Sequence, residues 1–130
     1  MDSSCPSITV LIVEDDYAMA QMCAKLIRRR GHAALIADSG EAALAIVRSN
    51  AAVDAVVSDI QMPVMSGLEL LARVREFAAD LPVILMTGFA HAAGSGEAAA
   101  LGATDYLSKP FNADTFIASL ERAHAHRPAV

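Results

Sequence analysis

Along the chain, short continuous runs of apolar residues alternate with longer stretches in which apolar residues return every three or four positions. The runs fall at 8–13, 33–37, 53–57, 83–86 and, more weakly, 104–107. Each is of strand length, and several are rich in β-branched residues. A run without polar alternation suits a strand buried on both faces, as in a parallel sheet.

The intervening stretches read as helices. From Asp16, the residues Met19, Met22, Cys23, Leu26 and Ile27 mark one helical face. Arg28, Arg29, Arg30 and then Gly31 supply cations near the end and a glycine just past it, which is a stop signal. A second helix is expected from near Ser39 to near Ser49. A third begins at Ser66-Gly67-Leu68-Glu69, which has capping-box spacing, and would bury Leu70, Leu71, Val74 and Phe77. The last is capped by Asn112, with Phe111 and Phe116 spaced as a hydrophobic staple and Leu120 and Ala123 continuing the face. The stretch at 90–96 differs. It carries Gly94 and Gly96 where a helix would begin, and each costs about 1 kcal/mol relative to Ala. A loop is expected there, then a short helix over roughly 96–101 stopped at Gly102.

Strand and helix thus alternate five times. With right-handed crossovers, that implies an α/β fold: a five-stranded, doubly wound parallel sheet with helices on both faces. Residues 1–7 read as a loose lead-in, 8–125 as one domain and 126–130 as a tail.

Composition narrows this picture. A chain of 130 residues, 55% hydrophobic, can bury a core without staples. Aromatics make up only 5%, so that core is built mainly from Val, Ile, Leu and Met. No apolar run approaches the roughly 18 residues of a membrane span. Met1-Asp2-Ser3-Ser4 lacks the basic start of a secretory signal. Cys5 and Cys23 form neither a disulfide framework nor a metal spacing. These features point to the cytoplasm. The net charge of -5 weighs against direct nucleic-acid binding by this domain.

In an open parallel sheet, ligands bind beyond the carboxyl ends of the strands. Glu14, Asp15 and Asp16 follow the first run, Asp59 the third, Thr87-Gly88 the fourth and Lys109-Pro110 the fifth. Each has a bland reading: Asp15 and Asp16 as helix caps, Asp59 as a turn residue before Met62-Pro63, Thr87 as a strand end, Lys109 as a solvated lysine. The set outweighs them, because it gathers carboxylates, a hydroxyl and one ammonium at a single sheet edge. Crowded carboxylates repel one another, and a divalent cation resolves the repulsion. Hard oxygen donors without His or Cys match Mg²⁺. Asp15 and Asp59 are the expected direct ligands, the backbone carbonyl of Gln61 a third, and Glu14 a ligand through water. Mg²⁺ and Lys109 would neutralise transferring phosphoryl oxygens, with Thr87 donating a hydrogen bond to one of them. The product expected on Asp59 is an aspartyl phosphate. Gly67 is expected to let the chain turn tightly back into the third helix.

Four ordered blocks then carry a family resemblance: Val10-Leu11-Ile12-Val13-Glu14-Asp15-Asp16, Val57-Ser58-Asp59-Ile60-Gln61-Met62-Pro63-Val64-Met65-Ser66-Gly67, Pro82-Val83-Ile84-Leu85-Met86-Thr87-Gly88, and Gly102-Ala103-Thr104-Asp105-Tyr106-Leu107-Ser108-Lys109-Pro110-Phe111. Over residues 8–125 the chain resembles the response-regulator receivers of two-component signalling. The resemblance implies strand order 2-1-3-4-5, Asp59 as phosphoacceptor, Glu14 and Asp15 as the acidic pair, and Thr87 and Lys109 as switch hydroxyl and lysine. It implies Tyr106 as an aromatic that changes rotamer on phosphorylation, against the plainer reading of a partly buried strand residue. It also implies a cis Lys109-Pro110 bond, a histidine kinase or phosphotransfer protein as donor, an output domain or partner, and pairing with a second copy once phosphorylated. The chain departs from the family at the Gly- and Ala-rich 90–96 stretch, in a style that resembles receivers attached to larger sensor proteins. Two other functions compete. An aspartyl-nucleophile phosphatase would want an acid two residues beyond Asp59, where Gln61 stands. A purely structural interaction domain would not need the acidic and lysine set.

Overall fold

The computed structural model describes residues 7–49, 52–87, 102–108 and 112–125, without the side chain of Phe77. In chain order the elements are β1 (Thr9–Val13), α1 (Tyr17–Arg29), β2 (Ala33–Ala37), α2 (Gly40–Ser49), β3 (Ala55–Asp59), α3 (Gly67–Phe77), β4 (Val83–Thr87), β5 (Asp105–Ser108) and α4 (Ala113–Ala125). The five strands form one sheet in the order β2-β1-β3-β4-β5, with every neighbouring pair parallel. This is the doubly wound order that the family resemblance implies.

Alternation along each strand splits the core in two. Val10, Ile12, Ala55, Val57, Ile84 and Met86 meet Ala20, Cys23, Ala24 and Ile27 of α1 and Phe116, Ile117 and Leu120 of α4. Leu11, Val13, Val56, Val83 and Leu85 meet Ala43 and Leu44 of α2 and Leu70, Leu71 and Val74 of α3. Among the described residues, two helices therefore cover each face. Burying both faces explains why the strands read as unbroken apolar runs.

The caps follow their local chemistry. Asp16 accepts from the N–H groups of Ala18 and Met19. The hydroxyl of Ser39 accepts from Ala42, that of Ser66 from Glu69, and the side-chain oxygen of Asn112 from Thr115. Each satisfies a donor that an α-helix leaves without an internal partner.

Three expectations need correction. β3 begins and ends two residues later than the 53–57 run. Val53 is buried, but Asp54 caps the sheet instead of extending it: its carboxylate accepts from the Thr9 N–H at 2.9 Å. The strand continues through polar Ser58 and Asp59, which pair with Val13 and Met86. β5 likewise runs one residue later than expected. On α1, Met22 is 44% exposed, and the buried stripe is Ala20, Cys23, Ala24 and Ile27. Two of these four, Ala20 and Ala24, are small side chains, which let the helix pack tightly. The lead-in at 1–6, the short helix over 96–101, the cis Lys109-Pro110 bond, the Phe111 half of the staple and the tail at 126–130 lie outside the described residues.

Candidate functional site

Parallel pairing sets which side chains meet at the carboxyl edge of the sheet. β1 and β3 are neighbours, so Glu14 and Asp15, just past β1, stand beside Asp59 at the end of β3. A carboxylate oxygen from each lies within 4.8 Å of the others. Glu14 is 2% and Asp59 7% exposed, whereas Asp15 faces solvent. Two acids are thus held inside the protein rim and the third closes the cluster from outside. Asp16, beside them in sequence, spends its carboxylate on the α1 cap, and its own N–H donates to Glu14 Oε2 at 3.3 Å. The bland reading offered for Asp15 and Asp16 therefore holds for Asp16 alone.

β4 supplies the next group. Asp59 pairs with Met86, and Thr87 follows it, buried at 3% exposure. The Ile60 N–H donates to the Met86 carbonyl at 2.9 Å, which carries the β3–β4 pairing one residue past the phosphoacceptor candidate. Thr87 pairs in turn with Ser108 of β5. Lys109 is the next residue in sequence and lies outside the described residues, as does Gly88. Tyr106 is half-buried on β5 and packs on the core face covered by α2 and α3. Gln61 is exposed in the loop after β3.

That loop is shaped by two glycines. A Cβ on Gly67 would collide with the Asp59 carbonyl oxygen and come within 2.9 Å of the Ile60 Cα. Gly67 is therefore required for close approach to Asp59 and not, as expected, for a tight turn. Its N–H donates to the Ile60 carbonyl at 2.8 Å, so residues 60–67 close back on the end of β3. Gly40, at the start of α2, makes room for Met65: a Cβ there would lie 2.6 Å from the Met65 sulfur. The sequence pattern pointed to Gly67. It gave no sign of Gly40 or Met65, whose contact joins residues 25 positions apart in the chain.

Chemically, three oxygen-bearing acids at this spacing suit a small, hard divalent cation, and none of the cluster's donors is sulfur or imidazole. The donor set fits Mg²⁺. No helix among the described residues is long and apolar enough to cross a membrane.

Comparison with known proteins agrees with this geometry. The family model of the response regulator receiver domain matches residues 10–121. The transcriptional regulatory protein ZraR of Escherichia coli K12 is 34% identical over 124 residues, 95% of this chain and 28% of ZraR. The response regulator protein FleR of Pseudomonas aeruginosa is 41% identical over 104 residues, 80% of this chain and 22% of FleR. The chain thus spans under a third of the length of these curated relatives. Among solved structures, the chemotaxis protein CheY4 of Vibrio cholerae superposes with a TM-score of 0.85 at 32% identity, covering 91% of this chain and 99% of CheY4. The chain belongs to the response regulator receiver domain family.

Proposed function

We propose that this receiver domain accepts a phosphoryl group on Asp59 from a phosphohistidine of a histidine kinase or phosphotransfer protein, in a Mg²⁺-dependent reaction, and passes the change to an output domain or partner. One observation carries the reading: Glu14, Asp15 and Asp59 present carboxylate oxygens within 4.8 Å of one another at the carboxyl edge of the sheet.

Asp15, Asp59 and the backbone carbonyl of Gln61 would hold Mg²⁺ directly, and Glu14 would hold it through water. When bound, the ion neutralises the acidic cluster and withdraws charge from phosphoryl oxygens. Asp59 attacks phosphorus through a carboxylate oxygen. One O–P bond forms as the P–N bond breaks, and the electron pair of that bond stays on the imidazole nitrogen. Thr87 stands one residue beyond the strand partner of Asp59, placed to donate its hydroxyl hydrogen to a phosphoryl oxygen. Lys109, next in sequence to Thr87's own partner Ser108, would supply the ammonium. Tyr106, half-buried on β5, would follow Thr87 by changing rotamer, which turns a local charge event into a surface change.

The greater length of ZraR and FleR supports a role as one module of a larger regulator acting in the cytoplasm, and the likeness to ZraR, a transcriptional regulatory protein, favours a transcriptional output. A module of a hybrid sensor kinase or a relay intermediate would use the same chemistry. The phosphatase reading is weaker, since Gln61 offers no acid to protonate a leaving group.

The test is phosphate uptake from a small phosphodonor, read as intact mass. We expect one phosphate on the wild-type protein in Mg²⁺ and none in chelator or in Asp59→Asn. Equal uptake by Asp59→Asn would sink the assignment.

A further inference from the structure

Among the described residues, positive φ occurs at Gly31, Gly102 and Val64, the last at 71°. For a β-branched side chain that conformation is an outlier. The Met65 N–H donates to the Pro63 carbonyl at 2.7 Å, which closes a ring of three residues around Val64. Positive φ at the centre of such a ring is the rare, strained form of γ-turn. The Val64 side chain is 87% exposed, so burial does not offset the strain.

Both flanks of the turn are pinned. Pro63 fixes its own φ. Met65 is buried at 7% exposure and packs into the space that Gly40 leaves at the start of α2. Two residues on, Gly67 lies against the Asp59 carbonyl and bonds back to Ile60. The strain is therefore held by contacts on either side, and it sits in the loop that closes on Asp59. If Val64 relaxed to negative φ, as in the common inverse form of the turn, the chain would leave Val64 in a different direction and Met65 would be drawn off Gly40.

We propose that Val64 is a positioning residue that acts as a conformational brake on the site. It disfavours the turn that the 60–67 loop adopts here, so a relaxed loop competes with it. Gln61 lies in that loop, so relaxation removes one expected oxygen donor from the acidic cluster. Apparent cation affinity then falls in proportion to the fraction of chains in the competent turn. The inference rests on the reading of Glu14, Asp15 and Asp59 as a Mg²⁺ site. Asparagine tolerates positive φ far better than valine, so Val64→Asn should release the brake, whereas Val64→Ile should retain it.

The experiment titrates MgCl₂ into wild type, Val64→Asn and Val64→Ile, following the backbone amides of residues 59–67 by NMR. Melting temperature without Mg²⁺ is measured alongside. We expect Val64→Asn to bind Mg²⁺ about three- to tenfold more tightly, and to melt higher, with Val64→Ile at the wild-type value. If Val64→Asn melts higher but binds Mg²⁺ as wild type does, the strain is local and the brake is wrong. If both variants tighten binding equally, the exposed side chain and not the turn is responsible, which also overturns it. A wild-type protein with no saturable response to Mg²⁺ would instead overturn the reading of the site, and the brake with it.

Discussion

The two edges of the sheet are built on opposite terms. At the carboxyl edge, three acids from two adjacent strands crowd within 4.8 Å, and the loop beside them holds a valine at φ 71°. At the amino edge, polar groups are matched across long sequence distances. The Ile8 N–H donates to His32 Nδ1 at 3.1 Å, which makes that nitrogen the acceptor and leaves Nε2 to donate to Glu121 at 3.1 Å. Asp54 and Thr9 bond in both directions. Arg75 donates to the carbonyls of Gly102, Ala78 and Leu81 and so ties the end of α3 to the entries of β4 and β5. The comparison teaches where the fold keeps its stability. Like charges and strain are tolerated at one edge because the other, with the two-sided core, holds the strands in register.

Breaking the amino edge should give the largest effect on folding. Burial lowers the pKa of Arg75, and the charge of Asp80 works against that shift. Arg75 nonetheless serves three carbonyls at once, at distances from 2.7 to 3.1 Å. Removing it leaves those acceptors without their charged donor. Arg75→Ala should cost about 3 kcal/mol in urea unfolding. Arg75→Lys should recover less than half of that, because one ammonium cannot reproduce the guanidinium fork. Magnesium-dependent phosphate uptake by the folded fraction should be unchanged, since Arg75 lies at the far edge. Gly67→Ala works from the other side. Its Cβ meets the Asp59 carbonyl, so we expect a loss of about 2 kcal/mol. Here phosphate uptake should slow at least tenfold, because the displaced group is the nucleophile's own backbone. If Arg75→Ala slowed uptake as much as Gly67→Ala does, the two edges would not be separable.

How far the sequence already showed these edges depends on the reach of each signal. The strand order came with the family resemblance, and the apolar runs located every strand to within two residues. Glu14, Asp15, Asp59 and Thr87 were legible because each stands one or two residues past the end of a run, and parallel pairing carries run ends to one edge. The same rule misplaced β3, since Ser58 and Asp59 are polar yet remain in the ladder. The amino edge was not legible. His32 and Glu121 are separated by 89 positions and Arg75 and Gly102 by 27, and no local spacing marks such pairs. Val64 was hidden for a different reason: positive φ is a property of the backbone, and the usual glycine or asparagine that would announce it is absent.

At the carboxyl edge, removing a charge should stabilise the protein. Asp59→Asn takes one of the three acids out of the cluster while keeping its shape. In chelator we expect a gain of about 1 kcal/mol in unfolding free energy over wild type. Adding Mg²⁺ should raise the wild type more than the variant and narrow that gap, because the cation stabilises a folded state that binds it. A gap that Mg²⁺ leaves unchanged would mean that the acids do not hold the ion.

The smallest effect should appear with acid, at the amino end of β5. Burial pushes the carboxyl of Asp105 up. Hydrogen bonds from the Ser119 hydroxyl, the Tyr106 N–H and Arg122, with the charge of Arg122, outweigh that and hold it below its ordinary value. A carboxylate whose pKa is depressed on folding contributes stability above its unfolded pKa and loses it as pH falls towards the folded one. The ordinary value is 3.8, so the loss should begin near there and be complete only below it. Half-exposed pairs are screened by solvent, so we expect Asp105→Asn to cost about 1 kcal/mol or less at neutral pH. That difference should shrink as urea unfolding is repeated at pH values below 3.8. A difference that persists undiminished in acid would show that Asp105 acts by shape and neutral hydrogen bonding. The amino edge would then owe its stability to geometry alone, and the contrast in charge between the two edges would reduce to the acidic cluster.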